Sequence, residues 1–257
     1  MLGISSISPL YLRTTNGGSE NNWTVSTITG ATGGSASIAA LDSITAWVCN
    51  TDAVYKTTDG GLTWDQQETA FQGFNGHPNV IHFFDSDNGV CVGNPNNGYW
   101  AIYTTTNGGT NWTRVPSANI PSPLPANEIG LSNISVAKDN SFWFPTLWGS
   151  LYRTTDRGMT WTVARNILGN SDGFSFAFKD NLNGLACTFI GGKKISHTED
   201  GGTTWTPITP LPSGLSGLSP FLLEYVEGTS GSYVITSNYN IGGAFPAIPG
   251  TAYTNDS

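Results

Sequence analysis

Six near-copies of one short motif run through this chain, and their spacing is what most limits its fold. The complete pattern is Ser/Thr-x-Asp-x-Gly-x-Thr-Trp, as at Thr57–Trp64. Its acidic or amide position is occupied by Asn16, Asp59, Asn107, Asp156, Asp200 and Asp256, and five copies lead to Trp23, Trp64, Trp112, Trp161 and Trp205. A spacing of 43 to 56 residues predicts a repeat architecture with one supersecondary unit per repeat.

Each repeat contains four short runs that are typical of β-strands, separated by Gly, Asn and Asp. In one repeat the runs are Asn79–Asp85, Gly89–Gly93, Tyr99–Thr105 and Asn111–Val115. Four strands per period predict an all-β chain, a β-propeller of four-stranded antiparallel blades. We expect residues 1–257 to form a single propeller domain of about five blades. A six- or seven-bladed parent ring and a closed five-bladed ring both stay open.

Composition excludes several classes of function. The net charge of −8 leaves no basic surface for nucleic acid, and no apolar stretch is long enough for a membrane span. The last motif copy stops at Ser257, so we expect a piece of a longer exported protein, secreted or on the outer cell surface. Cys49, Cys91 and Cys187 recur at similar positions and suggest buried thiols, and no residue pattern predicts a metal site or a cofactor.

The motif resembles the Asp box, or BNR repeat, of sialidases and many other propellers. The wording of the repeats is most similar to exported sialidase-like and photosystem-assembly-factor-like propellers of Bacteroidetes-type bacteria. The resemblance implies a structural motif on the rim away from the usual ligand face. The side chain at the Asp position can accept backbone N–H bonds within a tight hairpin, and Asn keeps that acceptor oxygen. Gly18, Gly61, Gly109, Gly158 and Gly202 are expected to supply positive φ.

Enzymatic alternatives depend on carboxylates outside the motif. The resemblance to sialidases implies three converging arginines, which the few arginines of this chain do not offer. A xyloglucanase-like glycosidase needs two carboxylates across a cleft, and Glu68, Glu128 and Asp172 are the candidates between repeats. Four further acids recur after the first strand, where turn capping is expected; they are Asp42, Asp85, Asp139 and Asp180.

The loops between repeats, together with those joining second and third strands, are the expected ligand face. Aromatic rings and amides there suit a neutral sugar or a peptide, and the candidate ligand-binding residues are Phe71, Phe74, His77, Tyr99, Trp100 and Trp148. Trp100 and Trp148 border third strands, so an interior packing role is the alternative for both.

These observations favour a non-catalytic binding scaffold for a protein or carbohydrate ligand. A glycoside hydrolase fragment and a structural spacer within a large adhesin are the alternatives. The resemblance to exported propellers also implies contact with secretion machinery through a further C-terminal domain.

Overall fold

Hairpin-connected strands make up nearly all the regular structure of the chain. The computed structural model describes residues 10–15, 23–31, 34–51, 53–67, 70–71, 77–131, 134–168, 174–188, 194–211, 220–237 and 251–254. Within these ranges the only helix is one 3-10 turn at Ser117–Asn119. No helix that could cross a membrane occurs in this part of the chain.

The strands form six sheets in chain order. Sheet 1 contains β1 (Leu10–Thr14) and β2 (Trp23–Thr27); sheet 2 contains β3 (Ser35–Ala40), β4 (Ala46–Asn50), β5 (Val54–Thr57) and β6 (Asp65–Gln66); sheet 3 contains β7 (Pro78–Phe83), β8 (Gly89–Asn96), β9 (Tyr99–Thr105) and β10 (Thr113–Arg114). Sheet 4 contains β11 (Val136–Lys138), β12 (Ser141–Pro145), β13 (Leu151–Thr154) and β14 (Thr162–Ala164); sheet 5 contains β15 (Phe174–Phe178), β16 (Gly184–Thr188), β17 (Lys194–Thr198) and β18 (Thr206–Pro207); sheet 6 contains β19 (Pro220–Tyr225), β20 (Tyr233–Ser237) and β21 (Thr251–Thr254).

Sheets 2 to 5 are the four-stranded antiparallel repeats that the sequence predicts, with each strand hydrogen-bonded to its neighbour in the chain. The chain forms two compact units, Met1–Ser135 with Thr154–Trp161, and Val136–Arg153 with Thr162–Ser257. We call them unit 1 and unit 2.

Second strands carry much of the buried core of the sheets. Trp47, Val48 and Cys49 of β4 are fully buried, and every residue of β12 is buried. Such continuous burial explains why these strands read as uninterrupted apolar runs instead of an alternating pattern.

A tryptophan in the second strand joins sheet 2 to sheet 3. The Trp47 ring stacks on Phe83 with ring centroids 3.5 Å apart. Its indole Nε1–H donates to the Gly108 carbonyl at 3.1 Å. Unit 2 repeats the arrangement, because Trp143 stacks on Phe178 at 4.2 Å and donates to the Gly201 carbonyl at 2.9 Å. Burial of an aromatic ring with its N–H satisfied is strongly stabilising.

A cation from the third strand reaches the same turn of the following sheet. Lys56 Nζ donates to the Gly108 carbonyl at 2.8 Å, and Arg153 Nη1 donates to the Asp200 carbonyl at 2.9 Å. In sheet 1, Arg13 Nη1 donates to the Gly60 carbonyl at 3.4 Å. A Cβ added at Gly60 or Gly201 would lie 2.1 Å from the arginine Nη1 atom and would displace the guanidinium, and both residues adopt φ 75°, which favours glycine.

Sheet 3 lacks this cation and has Thr104 in its place. The motif that follows sheet 3 then carries Arg157 where the other complete copies have glycine. Arg157 adopts φ 61° and its Nη1 lies 3.0 Å from Asp85 Oδ2. The positive charge therefore comes from the motif itself when the preceding third strand supplies none.

We expect that the positive charge beside Asp85 can be moved from Arg157 back to the third strand by a paired substitution. Thr104→Lys alone should be destabilising because the new side chain meets Arg157, and Arg157→Gly alone should lose the ion pair with Asp85. The double variant should recover stability, with a coupling of about 0.5–3 kcal/mol in a double-mutant cycle measured by urea unfolding. Additive single effects would show that the two positions are independent.

Candidate functional site

The carboxylate of each described Asp box closes its own hairpin. Asp59 Oδ1 accepts the backbone N–H groups of Leu62 and Thr63, both at 3.0 Å. Asp59 Oδ2 accepts the Thr63 hydroxyl at 2.5 Å. Thr57 Oγ1–H donates to Asp59 Oδ1 at 2.8 Å while its oxygen accepts the Gly61 N–H at 2.8 Å. All these bonds are local, so the motif specifies its own turn.

The other complete copies repeat this network. Asp156 Oδ1 accepts the Thr160 N–H at 2.9 Å, and Asp200 Oδ1 accepts the Thr204 N–H at 3.0 Å. Asn107 Oδ1 accepts the Asn111 N–H at 2.9 Å, which fits the expectation that an amide can replace the carboxylate. Asn16 and Asp256 lie outside the described residues.

Positive φ at the glycine two residues after the Asp or Asn position confirms the predicted turn geometry in four copies, and Gly18 lies outside the described residues. The angles are 85° at Gly61, 87° at Gly109, 95° at Gly158 and 92° at Gly202. The motif tryptophans differ in burial: Trp112 and Trp161 are buried, Trp64 and Trp205 are half-buried, and Trp23 is exposed. Trp161 and Trp205 donate their Nε1–H to the carbonyls of Gly158 and Gly202.

Aspartates that follow the first strand of a sheet cap turns at the edge of the sheet where the Asp box also lies. Asp42 Oδ1 accepts the N–H groups of Ile44 and Thr45, and Asp85 and Asp180 make the equivalent pairs. The Gly60 N–H donates to the Ile44 carbonyl at 2.8 Å, which holds turn and Asp box together. Asp139 departs from the prediction: it adopts φ 51° in a shorter turn and accepts from Asn181 Nδ2. We call this edge the box edge.

The opposite edge, the loop edge, carries the connections that the sequence predicts to bind ligands. In unit 1 it is held by amides: Asn79 Nδ2 donates to Asn94 Oδ1 at 2.5 Å, and the Gly130 N–H donates to the same oxygen at 3.3 Å. His77 is exposed, and its Nδ1 lies 2.8 Å from the Thr51 carbonyl. A carbonyl can only accept, so Nδ1 carries the proton in this contact.

The predicted aromatic residues divide by burial. Tyr99 lies at the tip of the β8–β9 hairpin and is 52% exposed, and Trp148 is partly exposed on the β12–β13 turn of unit 2. Phe71 is buried against Tyr103 with ring centroids 4.5 Å apart, and Trp100 is buried too. Phe71 and Trp100 therefore lie in the interior, which for Trp100 is the packing role given above as the alternative. Phe74 lies outside the described residues.

Two apolar residues of this edge escaped the sequence analysis. Leu124 and Ile129 are exposed on the segment between sheets 3 and 4, close in sequence to the amide-held Gly130. Gly98 at the hairpin tip faces Ala126 of the same segment. No sequence signal separates these exposed residues from buried neighbours such as Ile120.

Glu128, the one described member of the three candidate catalytic acids, is 0% exposed. Its Oε2 accepts the Leu124 N–H at 2.9 Å, so the carboxylate stabilises its own loop. Glu68 and Asp172 lie outside the described residues.

One histidine and two thiols within the sheets have pKa values shifted by burial. Burial raises the pKa of the Cys187 thiol to about 12 and lowers the pKa of His82 to about 4. Burial, with the neighbouring Cys49 thiol, also raises the pKa of Cys91. The Cys91 and Cys187 thiols therefore stay protonated at neutral pH. No group of three or more potential metal ligands occurs among the described residues.

Comparison with known proteins identifies the fold. A family model described as photosynthesis system II assembly factor YCF48 matches residues 15–173, more than half of the chain. A solved structure of YCF48 from Cyanidioschyzon merolae superposes with a TM-score of 0.57 at 18% identity, covering 88% of this chain and 73% of that one. A structure described as YCF48 bound to D1 peptide gives a TM-score of 0.53 at 21% identity, covering 79% and 62%.

Glycoside hydrolases share the fold. The GH74 xyloglucanase from Xanthomonas campestris superposes with a TM-score of 0.54 at 14% identity, covering 85% of this chain and 35% of that one. A probable oligoxyloglucan-reducing end-specific xyloglucanase from Neosartorya fischeri is 28% identical over 141 residues, which are 50% of this chain. The chain spans 16% of that relative's length. The predicted BNR-type propeller is confirmed; the similarity to Bacteroidetes-type sialidase-like proteins stays a prediction.

We expect the Asp-box carboxylates to titrate far below free aspartate. The Thr63 hydroxyl and N–H, followed by the Thr57 hydroxyl, lower the pKa of Asp59 from 3.8 to about 2. At Asp200 burial raises the pKa, but hydrogen bonds from Thr204 and Thr198 outweigh it and bring it to about 2. A lowered pKa in the folded state stabilises the fold above pH 3.8, and this contribution is lost as the pH falls towards 2.

Carboxyl NMR titration should give midpoints near pH 2 for both residues. Asp59→Asn, which copies Asn107, should remove its titration and weaken the acid dependence of urea unfolding. Midpoints near 3.8 would show that the hydrogen bonds do not form in solution.

Proposed function

We propose that this chain, which belongs to the family of photosynthesis system II assembly factor YCF48, is a non-catalytic propeller that binds a protein partner. The observation that carries the proposal is the loop edge of unit 1. There Tyr99, Leu124 and Ile129 expose apolar surface on connections that hydrogen bonds of Asn79 and Asn94 hold in place. Exposed apolar groups on an ordered support are typical of protein-binding surfaces.

The solved relative that holds a D1 peptide supports a polypeptide as the ligand class. At 21% identity it indicates a shared fold, so peptide binding by the present chain is our inference. Aromatic anchors with a polar rim suit such a ligand, because the aromatic side chain contributes contact area while amides select orientation. A neutral glycan is the second ligand class that aromatic rings and amides could accept.

A non-catalytic role also agrees with the position of Glu128. A general acid or base must reach the substrate proton, and this side chain is enclosed by its own loop. We further propose that the protein acts in the secreted or outer-surface compartment, delivered by secretion machinery. Fractionation of the producing cells with an antibody against the chain would test this location.

We expect the purified chain to bind peptides from a degenerate twelve-residue array, and Tyr99→Ala to weaken the selected peptides about tenfold. Truncation of an aromatic anchor costs on the order of 1–2 kcal/mol of binding free energy. Fluorescence anisotropy measures the affinities.

Met159→Ala serves as the matched control, because this exposed side chain lies at the box edge. Equal loss in both variants, or no selected peptide at all, would contradict a binding role for the loop edge. Selection on a glycan array instead would favour the carbohydrate ligand.

The second candidate function is a glycoside hydrolase fragment, favoured by the 28% identity to a xyloglucanase. If it is correct, xyloglucan oligosaccharides are cleaved and Glu68→Gln abolishes the cleavage. Our proposal expects no new reducing ends after prolonged incubation. A chain that neither binds nor cleaves would be a spacer.

A further inference from the structure

Six Asn-Gly pairs occur in this chain, and one of them differs from the other described pairs in its surroundings. An asparagine followed by glycine readily loses its side-chain amide, because glycine has no side chain to hinder attack by its own backbone nitrogen. Asn16 and Asn75 lie outside the described residues. The described pairs begin at Asn88, Asn97, Asn107 and Asn183.

The pair within the Asp box of sheet 3 is held on both sides of the bond that would react. Asn107 Oδ1 accepts the Thr105 hydroxyl at 3.0 Å. The Gly108 N–H donates to the Asp87 carbonyl at 2.9 Å. Ring closure between Asn107 and Gly108 would have to break these bonds, so it requires local opening of the turn.

The pairs at the start of second strands are held in a similar way. Asn88 Nδ2 donates to both carboxylate oxygens of Asp85, and Asn183 Nδ2 donates to both oxygens of Asp180. The glycines that follow these asparagines begin β8 and β16, and each is paired with a strand on both sides. These two pairs also react only when the local structure opens.

Asn97 and Gly98 form the two-residue turn of the β8–β9 hairpin, where Asn96 pairs with Tyr99. They adopt φ 52° and 80°, as a hairpin this tight requires. Asn97 is exposed, and neither its side chain nor the Gly98 N–H makes a hydrogen bond within the part of the chain that the structure describes. A Cβ added at Gly98 would meet Ala126 at 3.9 Å. The atoms that would react are therefore accessible and unrestrained by hydrogen bonds.

We propose that Asn97 is a site of spontaneous covalent modification at the loop edge. The Gly98 backbone nitrogen loses its proton and attacks the side-chain carbonyl carbon of Asn97, and the side-chain nitrogen leaves as ammonia. The product is a cyclic succinimide that joins the two residues. Water then opens the ring at either carbonyl and gives aspartate or β-linked isoaspartate. Water is the only co-reactant, and no atom is oxidised or reduced.

Both products change the loop edge beside Tyr99, and this consequence rests on the proposed protein-binding function. Each places a carboxylate where a neutral amide stood, in a chain whose net charge is already −8. Isoaspartate also adds one carbon to the main chain of a turn that pairs Asn96 directly with Tyr99. Because the turn sets the register of a hairpin, the added carbon displaces Tyr99. Modification of Asn97 therefore weakens partner binding as the protein ages.

The test follows all four described pairs in one sample of the full chain, by peptide mapping with mass spectrometry. In the native chain, Asn97 should convert at least tenfold faster than the three hydrogen-bonded asparagines, which react only on local opening. Chromatography should resolve isoaspartate at this position, which marks the succinimide route. In urea the four pairs should convert at similar rates, because unfolding removes the difference in their surroundings.

Two results would overturn the modification site. One is conversion of Asn97 in the native chain no faster than that of the hydrogen-bonded pairs. The other is aspartate formed without isoaspartate, which would indicate direct hydrolysis of the amide instead of attack by Gly98.

Asn97→Gly is the matched control, because a Gly-Gly turn keeps positive φ and has no reactive amide. Wild-type chain aged until Asn97 has converted should lose affinity for the array-selected peptides about as much as Tyr99→Ala does. Asn97→Gly aged in parallel should keep the affinity of its fresh sample. Unchanged affinity of the converted wild type would overturn the effect on binding. Conversion is measured by mass, so a chain that converts at Asn97 but binds no peptide contradicts the proposed function alone.

Discussion

The carbonyl at the head of an Asp-box hairpin is the acceptor on which the packing of consecutive sheets depends. In sheets 2 and 3 it receives the indole N–H of Trp47 and the ammonium of Lys56 together. Both donors come from the preceding sheet, so the hairpin fixes the position of its neighbour as well as its own turn. An unsatisfied indole or carbonyl in this buried position would be costly, which gives the contact its directional specificity.

Local and long-range bonds have separate roles in this arrangement. The carboxylate and threonine bonds of Asp59 lie within a few residues and form whenever the hairpin forms. They hold the Gly60 and Gly61 backbone in positive φ, and this conformation turns the carbonyl outward to the adjacent sheet. The Asp box therefore converts a local sequence signal into a contact between repeats. Its side chains are engaged in structure, so a ligand would have to bind at other residues.

Features set by short-range chemistry were predictable from the sequence. The period, the four strands, the positive φ of Gly61 and the turn-capping role of Asp42 all follow from neighbouring residues. Burial was harder to predict, because it depends on the sheet that packs against a residue. Phe71 and Trp100 are aromatic residues of predicted binding loops, yet both are buried in the core. Leu124 and Ile129 are aliphatic residues of the kind that usually forms a core, yet both are exposed. The burial of Glu128 was equally hard to predict. Its hydrogen bond from the Leu124 N–H depends on the conformation of the loop, which the spacing of residues in the sequence does not determine.

The exchange between Thr104 and Arg157 bears on how such repeats diverge. In this chain the positive charge at that boundary is carried by the motif and not by the third strand before it, so neither position is basic in every repeat. A search profile that scores each repeat in isolation penalises Arg157 as a lost glycine. Scoring adjacent repeats as a linked pair would recover such degenerate copies.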